Sequence, residues 1–229
     1  MKTLIFDIED RNGHSERVMA IDTLVIAGWT GRDTIAMGKH IRELEELGVK
    51  PPAYTPVFYR VASERLGPMA QVQVSGFQSS GEVEFLLLRD RGEFFVGIAS
   101  DHTDREVETY GITVSKQMCD KPCSRKVWPL NEVSAHWDQL VLRAHATIDG
   151  ERVLYQQGAV TAMRSPQDLL ERYEDHGGTF IDGTAMLCGT LAALGGIRPA
   201  ERFEIELDDP VLGRTLRHEY AVQPLPVLG

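Results

Sequence analysis

Cysteine is scarce in this 229-residue chain, and the three present are odd in number. Cys119, Cys123 and Cys188 cannot all pair, and they lack the paired spacing of a zinc site. They read as reduced thiols. Long apolar runs are missing as well. No stretch approaches the roughly 18 consecutive apolar residues of a membrane span, and the opening MKTLIFDIED is too short and too acidic for a signal peptide. The expected compartment is the cytoplasm, with no membrane partner. Positive charge is also in short supply. Lys and Arg number 24 against 34 Asp and Glu, a formal net charge of -10 that disfavours nucleic acid and anionic membranes through the general surface field. A small anionic ligand would need a metal ion or a few cations placed locally. Repeats, low-complexity tracts and obvious linkers are absent too, so residues 1–229 read as one domain.

What is present is mostly strand-like. TLIFDIE and SERVMAI alternate as strands around Asn12-Gly13, a pair suited to a turn needing positive φ, and Asp149-Gly150 punctuates a second hairpin in LVLRAHATIDGERVLYQQGAV. Thr34 to Leu47 carries Ile35, Met37, Ile41, Leu44 and Leu47 at spacings near the helical period, with Gly48 as a stop. Ser165 and Pro166 start a second helix through QDLLERYEDH. AQVQVSGF, YGITVS and the C-terminal ERFEIELDD and LRHEYAV read as strands. The fold class is therefore mainly β (α+β), a mixed sandwich or roll with a few short helices.

One strand poses a chemical question. In GEVEFLLLRD, Glu82 and Glu84 point to the same face of an extended chain while Val83 points to the other. The apolar run Phe85 to Leu88 argues for burial, and two buried carboxylates side by side must take up a proton or share a cation. Asp101, after the strand-like FFVGIAS, offers a third oxygen. Such a set suits a hard ion, Mg2+, Mn2+ or Ca2+. Taken alone, Glu-x-Glu is as well explained by a solvated edge with both glutamates in water.

GEVEFLL, SDHTDRE, SKQMCDKP, YQQGAVTAM and AMLCGT with FEIELDDPVLGRTLRHEYAV occur in an order that resembles the catalytic domain of the fumarylacetoacetate hydrolase superfamily, and within it the DUF2848 branch. The likeness implies a β-rich roll, dimeric, holding Mg2+ or Mn2+ through Glu82, Glu84 and Asp101. It implies substrate-binding roles for Arg105, Gly189 and Thr190, and an active-site role for Lys116. It also implies a water-activating pair, His40 with Glu43, one helical turn apart. Each has a plainer reading: His40 as a surface residue of an amphipathic helix, Lys116 as a solvated cation, Arg105 as an ion-pair partner of Glu106 or Asp104. His102, His136 and His145 read as packing or hydrogen-bonding residues, and Trp128 and Trp137 as core or interface anchors.

Three departures from the family pattern stand out. The stretch from Glu84 to Asp101 is shorter than in relatives, so a hairpin has been trimmed and Asp104 rivals Asp101 as the third ligand. Extra residues separate GRD from His40. After Lys116, Gln117 to Asp120 replace the family's Ser-Phe-Asp-Thr. The activity implied is metal-dependent hydrolysis of a carbon-carbon bond in a 1,3-diketo acid. The alternatives are a hydratase, dehydratase, isomerase or decarboxylase acting on a 2-keto acid or sugar acid, and a metal-stabilised binding protein without turnover.

Overall fold

The first strand buries Leu4, Phe6 and Ile8 between more exposed neighbours, the period of two that a half-buried strand needs. In the computed structural model, which describes residues 2–46 and 51–228 apart from the side chains of residues 40, 43, 44 and 46, this segment is β1 (Lys2–Asp10). It pairs with β2 (Gly13–Ile21) as the expected hairpin. The turn itself sits one residue earlier than expected: Asp10 faces Gly13, so Arg11 and Asn12 form it, and the positive φ of 137° falls on Gly13 at the head of β2. β3 (Thr23–Gly28) leads into α1 (Thr34–Glu46), started by Asp33, whose carboxylate accepts from the Ile35 and Ala36 amides at 2.9 Å each. Leu47 and the Gly48 stop lie outside the described residues.

Next come β4 (Val57–Val61), β5 (Leu66–Gly67), β6 (Gln71–Ser75) and β7 (Ser79–Ser80). The central hairpin follows, β8 (Val83–Asp90) and β9 (Glu93–Ser100), closed by Arg91 and Gly92 with φ of 52° and 77°. Two consecutive left-handed residues match the twist of antiparallel strands. After β10 (Thr103–Asp104) the chain forms α2 (Arg105–Glu108) and α3 (Ile112–Met118). YGITVS is thus largely helix, against its β-branched composition. The Ser115 hydroxyl donates to the Ile112 carbonyl at 2.7 Å, and packing that buries Ser115 and Lys116 overrides a weak local propensity.

β11 (Lys121–Pro122), β12 (Lys126–Pro129) and α4 (Leu130–Val133) precede the second expected hairpin, β13 (Val141–Ile148) and β14 (Glu151–Ala159). Its turn is Asp149-Gly150, with φ of 52° and 77°. α5 (Pro166–Asp175) starts as expected, with Ser165 accepting from the Asp168 amide at 3.3 Å. The chain ends in β15 (Thr184–Thr190), β16 (Arg202–Asp209) and β17 (Arg214–Leu225).

An eight-stranded sheet runs β2-β1-β12-β9-β8-β15-β3-β4, and a five-stranded sheet runs β14-β13-β16-β17-β6. Parallel pairs, among them β15 with β3 and β17 with β6, make both mixed. The chain is mainly β, with a few short helices, as its alternation predicts. Phe85 and Leu87 of β8 pack with Val96, Leu142 and Ile205 between the sheets, while Leu86 and Leu88 join Phe6, Leu24 and Leu187 on the other face of the larger sheet. Burial on both faces stabilises this strand by about 1.5–3 kcal/mol per large apolar side chain. Trp128 and Trp137 lie in the interior, the core alternative of their two readings. The three cysteines are free and buried. No helix among the described residues is long and apolar enough to cross a membrane.

Candidate functional site

The β8–β9 hairpin explains how residues far apart in sequence become neighbours. Its register pairs Glu84 with Ala99 and Val83 with Ser100, and the Asp101 amide donates to the Glu82 carbonyl at 3.0 Å. The connection between the two strands is a two-residue turn, Arg91 and Gly92. Glu82, Glu84 and Asp101 each offer one oxygen, all within 4.8 Å of one another. Asp104 is used elsewhere, accepting from the Val107 amide at 2.9 Å to cap α2.

Electrostatics within this trio are uneven. Burial, then the charges of Asp101 and Glu82, push the Glu84 carboxyl well above the usual carboxylate range, although Lys116 and the Gly189 amide, which donates to Glu84 Oε2 at 2.7 Å, oppose the rise. Asp101 goes the other way. Burial alone would raise it, yet Lys116 and Lys121 hold it at about 2. The Lys116 ammonium is ion-paired with Asp101 Oδ2 and stands 4.0 Å from Glu82. Burial works against its charge, but Asp101 and Glu82 outweigh that and raise it above the ordinary lysine value. Asp101 Oδ1 is buried and faces the Lys121 ammonium at 3.1 Å. A cluster of three carboxylates within reach of one another, one of them raised by its neighbours' charge, fits a hard divalent ion, Mg2+, Mn2+ or Ca2+.

These residues open onto a cavity of about 750 Å³ that Lys116, Arg105, Gly189 and Thr190 also line. The residues expected to hold substrate are heavily committed to the protein itself. Arg105 bonds Ser80 Oγ at 2.7 Å, Glu108 at 2.8 Å and Glu82 at 3.0 Å. Its partners are therefore Glu82 and Glu108, in place of the expected Glu106 or Asp104. The Thr190 hydroxyl donates to the Val83 carbonyl and accepts from Gln156, both at 2.8 Å. Gly189 has φ of 93°, and a Cβ there would fall 1.8 Å from Thr30 Oγ1, so only glycine fits this close approach. His40 and Glu43 belong to α1, but their side chains lie outside the described residues. Met37 of the same helix lines the cavity.

Two contributors had no sequence signal. Lys121 is wholly buried beside Asp101, and Gln156 on β14 accepts from the Val83 amide at 3.0 Å and so ties the smaller sheet to β8. His102 is buried between Ser79 and Tyr220 at 2.9 and 3.0 Å, and burial with the nearby Lys121 and Arg105 keeps it neutral down to about 3. His136 bonds Asp209 at 2.9 Å.

The family model described as "Protein of unknown function (DUF2848)" matches residues 27–220. No curated protein matches the chain. Among solved structures, a candidate fumarylacetoacetate hydrolase family protein from Yersinia pestis CO92 is 21% identical, covering 94% of this chain and 100% of that one, with a TM-score of 0.64. Fumarylpyruvate hydrolase from Pseudomonas aeruginosa, in complex with Mn2+ and pyruvate, is 12% identical over 98% of both chains, with a TM-score of 0.63. A 2-keto-3-deoxy-D-arabinonate dehydratase is 14% identical over 92% of this chain and 77% of that one, with a TM-score of 0.64. Identity at this level speaks to fold, and fold alone leaves the reaction open. By the model that spans most of its length, the chain belongs to the DUF2848 family, and it has the fold of the fumarylacetoacetate hydrolases.

Proposed function

We propose that this protein is a divalent-metal-dependent hydrolase that cleaves a carbon-carbon bond in an acylpyruvate-like 1,3-diketo acid. The observation that carries the reading is the cluster of Glu82, Glu84 and Asp101 at a cavity wall, with the Lys116 ammonium on Asp101. An ion held by the three carboxylates, Mg2+ or Mn2+, supplies Lewis-acid polarisation and a template for the keto acid. His40, oriented by Glu43, takes a proton from water, and the water oxygen bonds to the distal carbonyl carbon. Lys116 stabilises the negative charge that develops on the carbonyl oxygen. The bond between the acyl carbon and its neighbour then breaks, its electron pair passes to the departing enolate, and protonation of the enolate gives pyruvate and a carboxylic acid. α1, which brings Met37 to the cavity, is positioned to exclude bulk water.

Acetylpyruvate in labelled water tests this. With Mg2+ or Mn2+ the label should enter acetate, and His40→Ala should abolish turnover while metal affinity is kept. A specific likeness favours a second reading, because a dehydratase shares the fold at a TM-score of 0.64. Loss of water or carbon dioxide from a 2-keto acid, with acylpyruvates untouched, would support that lyase-type activity. Binding of keto acids without conversion under any metal would leave a binding protein.

A further inference from the structure

The cavity has more wall than its carboxylates use. Trp29, Met37, Tyr59, Leu191, Ala193 and Ile197 supply much of the rest, from the end of β3, α1, β4 and the loop after β15. Trp29 is pinned. Its φ of 59° lies in the left-handed region that a bulky residue rarely enters, and such strain persists only where the surroundings enforce it. On one side the Tyr59 ring packs on Gly28 so closely that a Cβ there would sit 2.8 Å from the ring. On the other, Thr30 is wedged against Gly189 and its carbonyl accepts from the Arg164 amide at 2.8 Å. The Trp29 backbone is therefore held at the cavity wall, which its side chain helps to line.

Charge is distributed as sharply as shape. Among the described residues lining the cavity, Arg105 and Lys116 are the cations, and both are paired: Arg105 with Glu82 and Glu108, Lys116 with Asp101. A keto acid bound at the carboxylate cluster leaves, among these described residues, no spare cation for a second carboxylate at its far end. A charged end against the half-buried Trp29 and Met37 would give up part of its hydration with no cation in return. An apolar end would gain instead. At about 750 Å³ the cavity falls in the range of roughly 300–1,000 Å³ typical of sites for drug-sized ligands, well beyond what a five-carbon acid fills.

Resting on the keto-acid reading above, we propose that this cavity selects a 2-keto acid whose far end is bulky, uncharged and apolar, of about aromatic size, and rejects one ending in a second carboxylate. Trp29 and Ile197 are the specificity-determining residues. A single methylene in an apolar pocket changes discrimination by about 10- to 200-fold, so a phenyl group should be favoured at least about tenfold.

Calorimetric titration of the Mn2+-loaded protein with 4-phenyl-2-oxobutanoate, 2-oxobutanoate and 2-oxoglutarate reads this without turnover, since none carries the cleavable distal carbonyl. The phenyl compound should bind at least about tenfold tighter than 2-oxobutanoate, and 2-oxoglutarate weakest. Ile197→Arg, at a position 56% exposed where a long side chain is tolerated, should strengthen 2-oxoglutarate binding, and Trp29→Ala should erase most of the phenyl preference. Equal affinity for all three, or a preference for 2-oxoglutarate, overturns the proposal. Cleavage of benzoylpyruvate in preference to acetylpyruvate supports both readings; a phenyl preference in binding with no cleavage supports the selectivity and refutes the hydrolase.

Discussion

Lys121 lies 3.1 Å from Asp101 Oδ1, and both side chains are wholly buried. Its ammonium also donates to the His102 carbonyl at 2.5 Å. Lys121→Met removes one partner of a buried ion pair, a change that costs about 3–5 kcal/mol, and the lower end is expected because Lys116 still faces Asp101. Denaturant unfolding of the metal-free protein checks this. A change below about 1 kcal/mol would mean that Lys121 is not needed to hold Asp101.

Lys116 is expected to behave differently. Its ammonium occupies Asp101 Oδ2, the oxygen an incoming cation would share. Lys116→Met should therefore tighten Mn2+ binding by about tenfold or more, by removing a unit positive charge a few ångströms away, while turnover of an acylpyruvate falls. Calorimetry paired with steady-state kinetics separates the two effects. Loss of both affinity and turnover would instead mark Lys116 as a structural prop.

The pH dependence follows from Glu84, whose carboxyl is raised well above its ordinary value of 4.5 by burial and by Asp101 and Glu82. Between the unfolded and folded values, the folded chain binds more protons than the unfolded one. Metal-free stability should thus fall as pH rises through that window and level off above the folded value. An incoming cation must displace the proton, so Mn2+ affinity should rise across the same window. Asp101 contributes in the opposite sense, its stabilisation being lost only as pH falls toward about 2. Unfolding of Glu84→Gln at several pH values should show a flattened slope; an unchanged slope would assign it elsewhere.

A two-fold dimer is proposed from the family resemblance. Ile5 and Val18, paired across β1 and β2 and 47% and 53% exposed, offer an apolar patch that the buried Trp128 and Trp137 do not. Sedimentation at low micromolar concentration should give about twice 25.6 kDa, and a single species at the chain mass would contradict it.

Signals local in sequence carried most of what could be read in advance. The i, i+2 pair Glu82 and Glu84, the left-handed Asp149-Gly150 turn and the Ser165-Pro166 helix start are short-range devices whose physics is complete within a few residues. Lys121 and Gln156 were invisible because their roles depend on partners brought together by the sheets. YGITVS misled for the same reason, since burial of Lys116 beside Asp101 outweighs β-branched propensity. Arg105 was legible as a cation near the site but not as the fork joining Glu82, Glu108 and Ser80.

The central claim is that three carboxylates on one hairpin end hold a divalent ion. Calorimetric titration of the wild type, Glu84→Gln, Asp101→Asn and Asp104→Asn with Mn2+ tests it most directly. One ion per chain is predicted for the wild type, with affinity reduced by at least about tenfold in Glu84→Gln and Asp101→Asn. The same two variants should lose the thermal stabilisation that added metal confers. Asp104→Asn should bind as the wild type does, since its carboxylate caps α2. Unchanged Mn2+ and Mg2+ affinity in Glu84→Gln and Asp101→Asn, or a loss confined to Asp104→Asn, would contradict the account.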